Sequence, residues 1–245
     1  MMKFVATIEA RMGSSRLPGK VLLPVLGRPL LQYLLERLRA VPSIDDIVLA
    51  TTVAGADDAL ADFARAMQVR CFRGSEDDVM DRVIRAAESA GADVVVEITG
   101  DCPLIDPQIV EQVVRMFKAH HAEYVSNAHV RSYPIGMDVQ VFPLDALRRS
   151  ASMTGERLDR EHVTLHMRSH PEWFPAVHLV APPELHWPEL GLTLDEAADF
   201  DLLSRVIERL YPHNPMFGCR DMVDLLRRAP ELASLNTAVA RKGDR

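Results

Sequence analysis

Two arginines, a lysine, two glycines and two serines crowd into one stretch, Ala10-Arg11-Met12-Gly13-Ser14-Ser15-Arg16-Leu17-Pro18-Gly19-Lys20. Glycine lets backbone N–H groups approach an anion closely. Arginine grips phosphate oxygens in pairs, and lysine adds a mobile point charge. Together they suit a triphosphate. The stretch is not a Walker loop, because Val21 follows Lys20 where Ser or Thr is required, and it is not G-x-G-x-x-G. On composition alone it equally fits a solvated basic loop with turn glycines.

Carboxylates supply the second signal. In Thr99-Gly100-Asp101-Cys102-Pro103-Leu104-Ile105-Asp106, Asp101 follows a glycine at the end of a β-branched run. Mg²⁺ binds through one or two carboxylates plus substrate phosphates, so a second acid is expected from elsewhere. Leu192-Thr193-Leu194-Asp195 offers one. Helix capping competes for both acids, and Asp106 before Pro107 reads as a cap outright. In Gly74-Ser75-Glu76-Asp77-Asp78-Val79, with Arg82 beyond, the acids also sit where a helix N-terminus favours them. His162 and His166 are four apart, but a zinc protease needs glutamate where Val163 stands. No G-x-S-x-G elbow is present. Cys71, Cys102 and Cys219 form no C-x-x-C pair.

The elements that position these residues alternate. Strands are expected at 3–9, 46–51, 69–72 and 93–98, and helices at 29–41, 56–67, 77–90 and 107–119. This order implies a parallel sheet with right-handed crossovers, with active loops at the carboxyl ends of its strands. Both the basic loop and the Asp101 segment fall at such ends. Beyond residue 122 the pattern changes to short strand candidates at 124–127, 138–142, 176–180 and 192–194. A smaller lobe within about 130–190 is expected, then helices near 196–210 and 220–228. The polar tail, residues 241–245, is expected to be disordered. The 245 residues suit one domain, and a net charge of -7 argues against a nucleic-acid partner. Neither a signal peptide nor an apolar run of 18 residues appears, so a cytoplasmic protein without a membrane span is expected.

Arg11…Ser14-Ser15-Arg16-Leu17-Pro18-Gly19-Lys20 resembles the signature of the CMP-sugar cytidylyltransferases, the 3-deoxy-manno-octulosonate and acylneuraminate cytidylyltransferases among them. It is most similar to their spore-coat-polysaccharide branch, and the resemblance covers nearly the whole chain. It implies a three-layer α/β/α nucleotide-diphospho-sugar transferase-like fold with a mostly parallel central sheet and a small second lobe. It implies transfer of CMP from CTP to a sugar, Mg²⁺-dependent, with release of pyrophosphate. Arg11, Arg16 and Lys20 are then the triphosphate ligands and Asp101 and Asp195 the metal ligands. Ala10, Ser14, Ser15, Thr99 and Gly100 line the substrate site. Ser75, Asp77 and Arg82 belong to the nucleotide side. Gly136, Asp138 and Gln140 match the sugar-side segment, with Gln140 where the relatives usually carry glutamate. Arg160-Glu161-His162-Val163-Thr164 resembles a motif on the acceptor side, which places Glu161 and His162 there. A homodimer through the smaller lobe is also implied.

Two other readings stand beside this one. A glycosyltransferase normally shows Asp-x-Asp after the strand, whereas Cys102-Pro103 follows Asp101 here. A nucleotide-binding protein without turnover has no need of both Asp101 and Asp195. The residues alone do not distinguish cytosine from uracil or guanine.

Overall fold

The computed structural model describes residues 2–241. Seven strands form one sheet. The first four are β1 (Phe4–Glu9), β4 (Asp46–Thr52), β5 (Arg70–Gly74) and β6 (Val94–Thr99). β7 (Tyr124–Ser126), β8 (Gln140–Pro143) and β9 (Ala176–His178) extend it, in the order β5-β4-β1-β6-β8-β7-β9. The first four strands are mutually parallel. β8 runs antiparallel to both β6 and β7, and β9 pairs parallel with β7. A separate two-stranded hairpin joins β2 (Pro24–Val25) to β3 (Arg28–Pro29). Its turn is Leu26-Gly27, both at positive φ, the backbone that a tight hairpin of this hand requires.

Period-two alternation splits the core into two layers. Phe4, Ala6 and Ile8 of β1 pack with α1 (Leu30–Arg39), α2 (Asp58–Ala66), α4 (Pro107–Ala119), α8 (Ala197–Leu210) and α9 (Cys219–Arg228). Val5 faces the other way, toward α3 (Val79–Ser89), α5 (Leu144–Met153) and α7 (Leu165–Ser169). A sheet covered on both sides explains why its parallel strands read as unbroken apolar runs. Short α6 (Arg157–Glu161) and α10 (Pro230–Ala233) complete the helices.

Helix starts follow their caps. Asp106 Oδ1 accepts from the Gln108 N–H at 2.8 Å, with Pro107 in the first turn of α4. Asp78 Oδ1 accepts from the Asp81 N–H at 2.9 Å at the start of α3. The chain leaves β1 toward β4 and β5, then returns to β6 on the opposite side of β1. The strand order therefore reverses between β1 and β6, where ligands bind in open α/β sheets.

Four expectations are corrected. The first helix begins at Leu30, because Arg28 and Pro29 pair in the hairpin. The expected strand at 192–194 is absent. Only Gly191 bridges Ile135, and the next N–H groups go to different partners, Leu192 to the Ile135 carbonyl and Leu194 to the Asp101 carbonyl. Residues 144–153, where no helix is expected, form α5, with Leu144, Ala146 and Leu147 buried. In the expected disordered tail, Arg241 is held inside the structure, as described below, and residues 242–245 lie outside the described residues. Among the described residues no helix is long and apolar enough to cross a membrane.

Candidate active site

Asp101 and Asp195 meet across Lys20 at the switch point. Lys20 Nζ lies 3.5 Å from Asp101 Oδ2 and 3.2 Å from Asp195 Oδ1, and it donates to the Leu194 carbonyl. Arg16 Nη2 reaches the same Asp195 Oδ1 at 2.8 Å, while its Nη1 reaches Glu196 Oε1 at 3.1 Å. Burial pushes the Asp195 carboxyl up, but Lys20, Arg16 and Arg241 outweigh it and hold the group below the ordinary aspartate value. Asp195 is not the cap of α8. Glu196 holds that place, and Asp199 Oδ2 accepts from the N–H groups of both Asp195 and Glu196 at 2.9 Å. The Asp195 side chain is thereby left for the site.

The Asp101 turn is equally determined. The Gly100 N–H donates to the Glu9 carbonyl at 2.8 Å, and a Cβ on Gly100 would meet that oxygen at 2.8 Å. Only glycine lets β1 and β6 close this tightly. Thr99 Oγ1 donates to Asp101 Oδ1 at 2.6 Å, fixing its rotamer. The Leu194 N–H donates to the Asp101 carbonyl at 2.8 Å, clipping the two acidic loops together. Cys102 is buried, and burial followed by Asp101 pushes its thiol well above the ordinary range, so it is no thiolate nucleophile.

The basic loop is folded on itself and on Asp57. Ser14 and Gly19 both donate from N–H to the Met12 carbonyl at 3.0 Å, and Gly19 adopts φ +69°. Leu17 N–H donates to Ser14 Oγ at 3.3 Å. The Met12 N–H donates to Asp57 Oδ1 at 2.7 Å, and the Thr52 N–H and hydroxyl donate to Oδ2. Burial works against the Asp57 carboxylate, yet these hydrogen bonds hold its pKa down. Ala10 is buried at the end of β1, and Ser15 is exposed at the loop tip.

The structure brings together Lys20, Arg16, Asp101, Asp195, Thr99 and Gly100. It places Arg11 apart, paired with Glu76 at 2.9 Å on the surface. Ser75 Oγ accepts from the Asp78 N–H at 3.0 Å, Asp77 is exposed, and Arg82 is buried beneath this turn, donating to the Ser75 and Glu76 carbonyls. Asp78 also forms an ion pair with Arg160. Glu161 and His162, beside Arg160, make no side-chain hydrogen bond among the described residues; His162 is exposed.

The segment carrying Gly136, Asp138 and Gln140, expected on the sugar side, leads into a polar row across the sheet. Gly136, at φ +102°, lies against Leu192, where a Cβ would come within 2.7 Å of its backbone. Asp138 pairs with Arg131 at 2.7 Å. Paired positions run across five strands as Thr7, Glu97, Gln140, Ser126 and His178, all on the α3/α5/α7 face. Gln140 Nε2 donates to Glu97, and its Oε1 accepts from Tyr124 and from Thr164, the latter at 2.6 Å. Burial pushes the Glu97 carboxyl up to about 7. Burial, then Glu97, pushes Glu9 well above the ordinary value. Among the described residues, Thr7 Oγ1, both Glu9 carboxyl oxygens and His178 Nδ1 are buried without a hydrogen bond. Sequence reasoning missed Glu97, though one acid inside Val94-Val95-Val96-Glu97-Ile98 was the available signal. It also missed Asp57, Asp199 and Arg241, which carry no local signal.

The cytidylyltransferase family model matches residues 5–217 of this chain. The chain belongs to the cytidylyltransferase family. Over 100% of its length it is 34% identical to uncharacterized protein MJ1063 of Methanocaldococcus jannaschii, covering 98% of that protein. Over 93% of its length it is 32% identical to the spore coat polysaccharide biosynthesis protein SpsF of Bacillus subtilis, covering 95% of it. Among solved structures it is similar to a cytidylyltransferase from Leptospira borgpetersenii, with a TM-score of 0.89 and 31% identity. That match covers 95% of this chain and 97% of that one.

Proposed function

We propose that this cytidylyltransferase joins CMP from CTP to a hydroxyl of a sugar and releases pyrophosphate at the Asp101–Lys20–Asp195 cluster. The observation that carries this is Lys20 Nζ within 3.5 Å of both carboxylates. Two acids from distant parts of the chain converge on one position where a cation is favoured, one strand end away from a basic loop. Among the described residues no three His, Cys, Asp or Glu side chains gather to hold a metal alone. Two carboxylates fit Mg²⁺, which takes its remaining ligands from phosphates and water. Asp101 and Asp195 would hold it. Held there, Mg²⁺ would supply neutralisation of phosphate charge and acidify the attacking hydroxyl.

The chain's own groups do the rest by positioning and charge. Lys20 and Arg16 neutralise the phosphates and the departing pyrophosphate, and they must then exchange Asp195 for phosphate oxygens. Arg11 joins them by releasing the exposed Glu76. The glycine-bearing loop, held in shape by its own N–H groups, sets these side chains toward the same anion. Glu97, two positions before Thr99, and Gln140, paired with it on the neighbouring strand, face the acceptor side. The spore coat polysaccharide role in the name of SpsF supports a sugar acceptor. The reaction belongs in the cytoplasm, where CTP is made.

We also assign pairing of two copies to the segment at about 130–190, the smaller lobe of the acceptor side. Val130, Met153, Leu158, Trp173 and Val180 are large apolar residues exposed in or at the edge of it. Light scattering at micromolar concentration should give twice the monomer mass; a monomer would overturn this. For the reaction, thermal shift with four nucleoside triphosphates and Mg²⁺ should single out CTP. Preference for another triphosphate would replace cytosine in this reading.

A further inference from the structure

Arg241, 221 positions after Lys20, is built into the loop that carries Asp195. It is only 10% exposed. Its Nη1 donates to Thr193 Oγ1 at 2.8 Å and lies 3.5 Å from Asp195 Oδ2. Its Nη2 donates to the fully buried Asp199 Oδ1 at 2.7 Å. The preceding residues fasten the same strap. Asn236 Nδ2 donates to Asp199 Oδ1 at 2.7 Å and to the Gly191 carbonyl at 2.9 Å. Arg16 donates to the Ala240 carbonyl at 3.0 Å.

This arrangement divides the two oxygens of Asp195. Oδ1 faces Lys20 and Arg16. Oδ2 faces Thr193, at 3.3 Å, and Arg241. On the proposed function, a triphosphate would draw Lys20 and Arg16 away from Oδ1, whereas the other amino group of Arg241 is tied to buried Asp199. We propose that Arg241 is a positioning residue that clamps Asp195 through Oδ2 and keeps Oδ1 aimed at the cation position shared with Asp101. The inference rests on reading Asp195 as a metal ligand.

Removing a nearby positive charge should, by Coulomb attraction alone, tighten cation binding. Loss of positioning should weaken it, since partners that orient a metal ligand are worth about 10–100-fold in affinity or activity. The sign therefore separates the two. Mn²⁺ is titrated calorimetrically into the full chain saturated with CTP, with no acceptor present. Arg241→Ala should bind Mn²⁺ about 10-fold more weakly than wild type, and Arg241→Lys, which reaches fewer partners, should fall between. Should Arg241→Ala not fold, Arg241→Lys carries the same readout. Asn236→Ala breaks the strap without touching Asp195, so it should lower the melting temperature and leave Mn²⁺ affinity intact. Unchanged or tighter Mn²⁺ binding in the Arg241 variants overturns the proposal. So does equal weakening by Asn236→Ala, which makes the strap merely structural. Asp195→Asn separates the two failures. If it loses Mn²⁺ while Arg241→Ala keeps it, only the clamp is wrong. If it too binds as wild type, the metal-ligand reading fails.

Discussion

Replacing Lys20 by Met keeps much of the side chain's length and removes its charge from between Asp101 and Asp195. Two opposite effects should follow. Triphosphate binding loses a charge-assisted contact worth about 1.5–3 kcal/mol, so CTP affinity should fall about 10- to 150-fold. Cation binding without nucleotide should improve, because Lys20 no longer competes for the carboxylates at 3.2 and 3.5 Å. At an effective dielectric constant of 20, a pair of unit charges at that range attracts by about 5 kcal/mol. Most of that is offset by desolvation of the groups. Arg16 and Arg241 still hold Asp195. A net gain of about 1–2 kcal/mol, or roughly 5- to 30-fold tighter Mn²⁺, is expected. Calorimetry with Mn²⁺ alone and with CTP alone reads both effects on one preparation. A Lys20→Met protein that binds Mn²⁺ no better and CTP no worse would refute the idea that Lys20 exchanges between acids and phosphates.

Cys102→Ser should keep substantial pyrophosphate release, because the buried thiol is held protonated and its hydrogen bonds go to Thr99 and Asp101, which a hydroxyl can also reach; complete inactivation of a folded variant would contradict the mechanism. Asp106→Ala removes a cap that also accepts from the Cys219 N–H at 2.6 Å; it should cost about 1–2 kcal/mol in urea unfolding with turnover retained. Glu97→Gln should stabilise the protein in a pH-dependent way. The Glu97 carboxyl rises to about 7 in the fold, so the folded state binds its proton more tightly than the unfolded one. The ionisation cost is absent well below the unfolded value, grows as pH rises, and is complete above 7. A shift of this size corresponds to about 3 kcal/mol, so the variant's advantage should be near that at pH 8 and vanish by about pH 4. An advantage independent of pH would show that Glu97 titrates normally.

The parallel half of the sheet was legible because strands covered on both faces must be apolar throughout, as in Phe4-Val5-Ala6 and Val94-Val95-Val96. Asp106 was legible as a cap, and the cap of α3 as Asp77 or Asp78, because that chemistry is local. The antiparallel half was harder. β7 and β9 have three residues each, too few for a period, and α5 buries a narrow stripe within a segment full of arginine and serine. Asp195 was found through its motif, yet its freedom from capping depends on Glu196 and Asp199 taking the helix end. Arg241 shows the limit most plainly: its partners Thr193 and Asp199 lie 48 and 42 positions away, and nothing beside it in the chain announces them.

The central claim is tested most directly by following label from CTP carrying a radioactive α-phosphate. The protein is incubated with Mg²⁺ and a panel of sugars including 3-deoxy-manno-octulosonate, alongside Asp101→Asn, Asp195→Asn and the double variant. Wild type should place one CMP on a sugar for each pyrophosphate released, with nothing released in the absence of sugar. Each single variant should stay folded and nearly abolish both products, with Asp195→Asn melting below wild type because Lys20, Arg16 and Arg241 lose the carboxylate they surround. The double variant should lose little more, since groups acting as one unit are not additive. Equal CMP transfer by wild type and either aspartate variant would contradict the account, and so would pyrophosphate release without a CMP-sugar product.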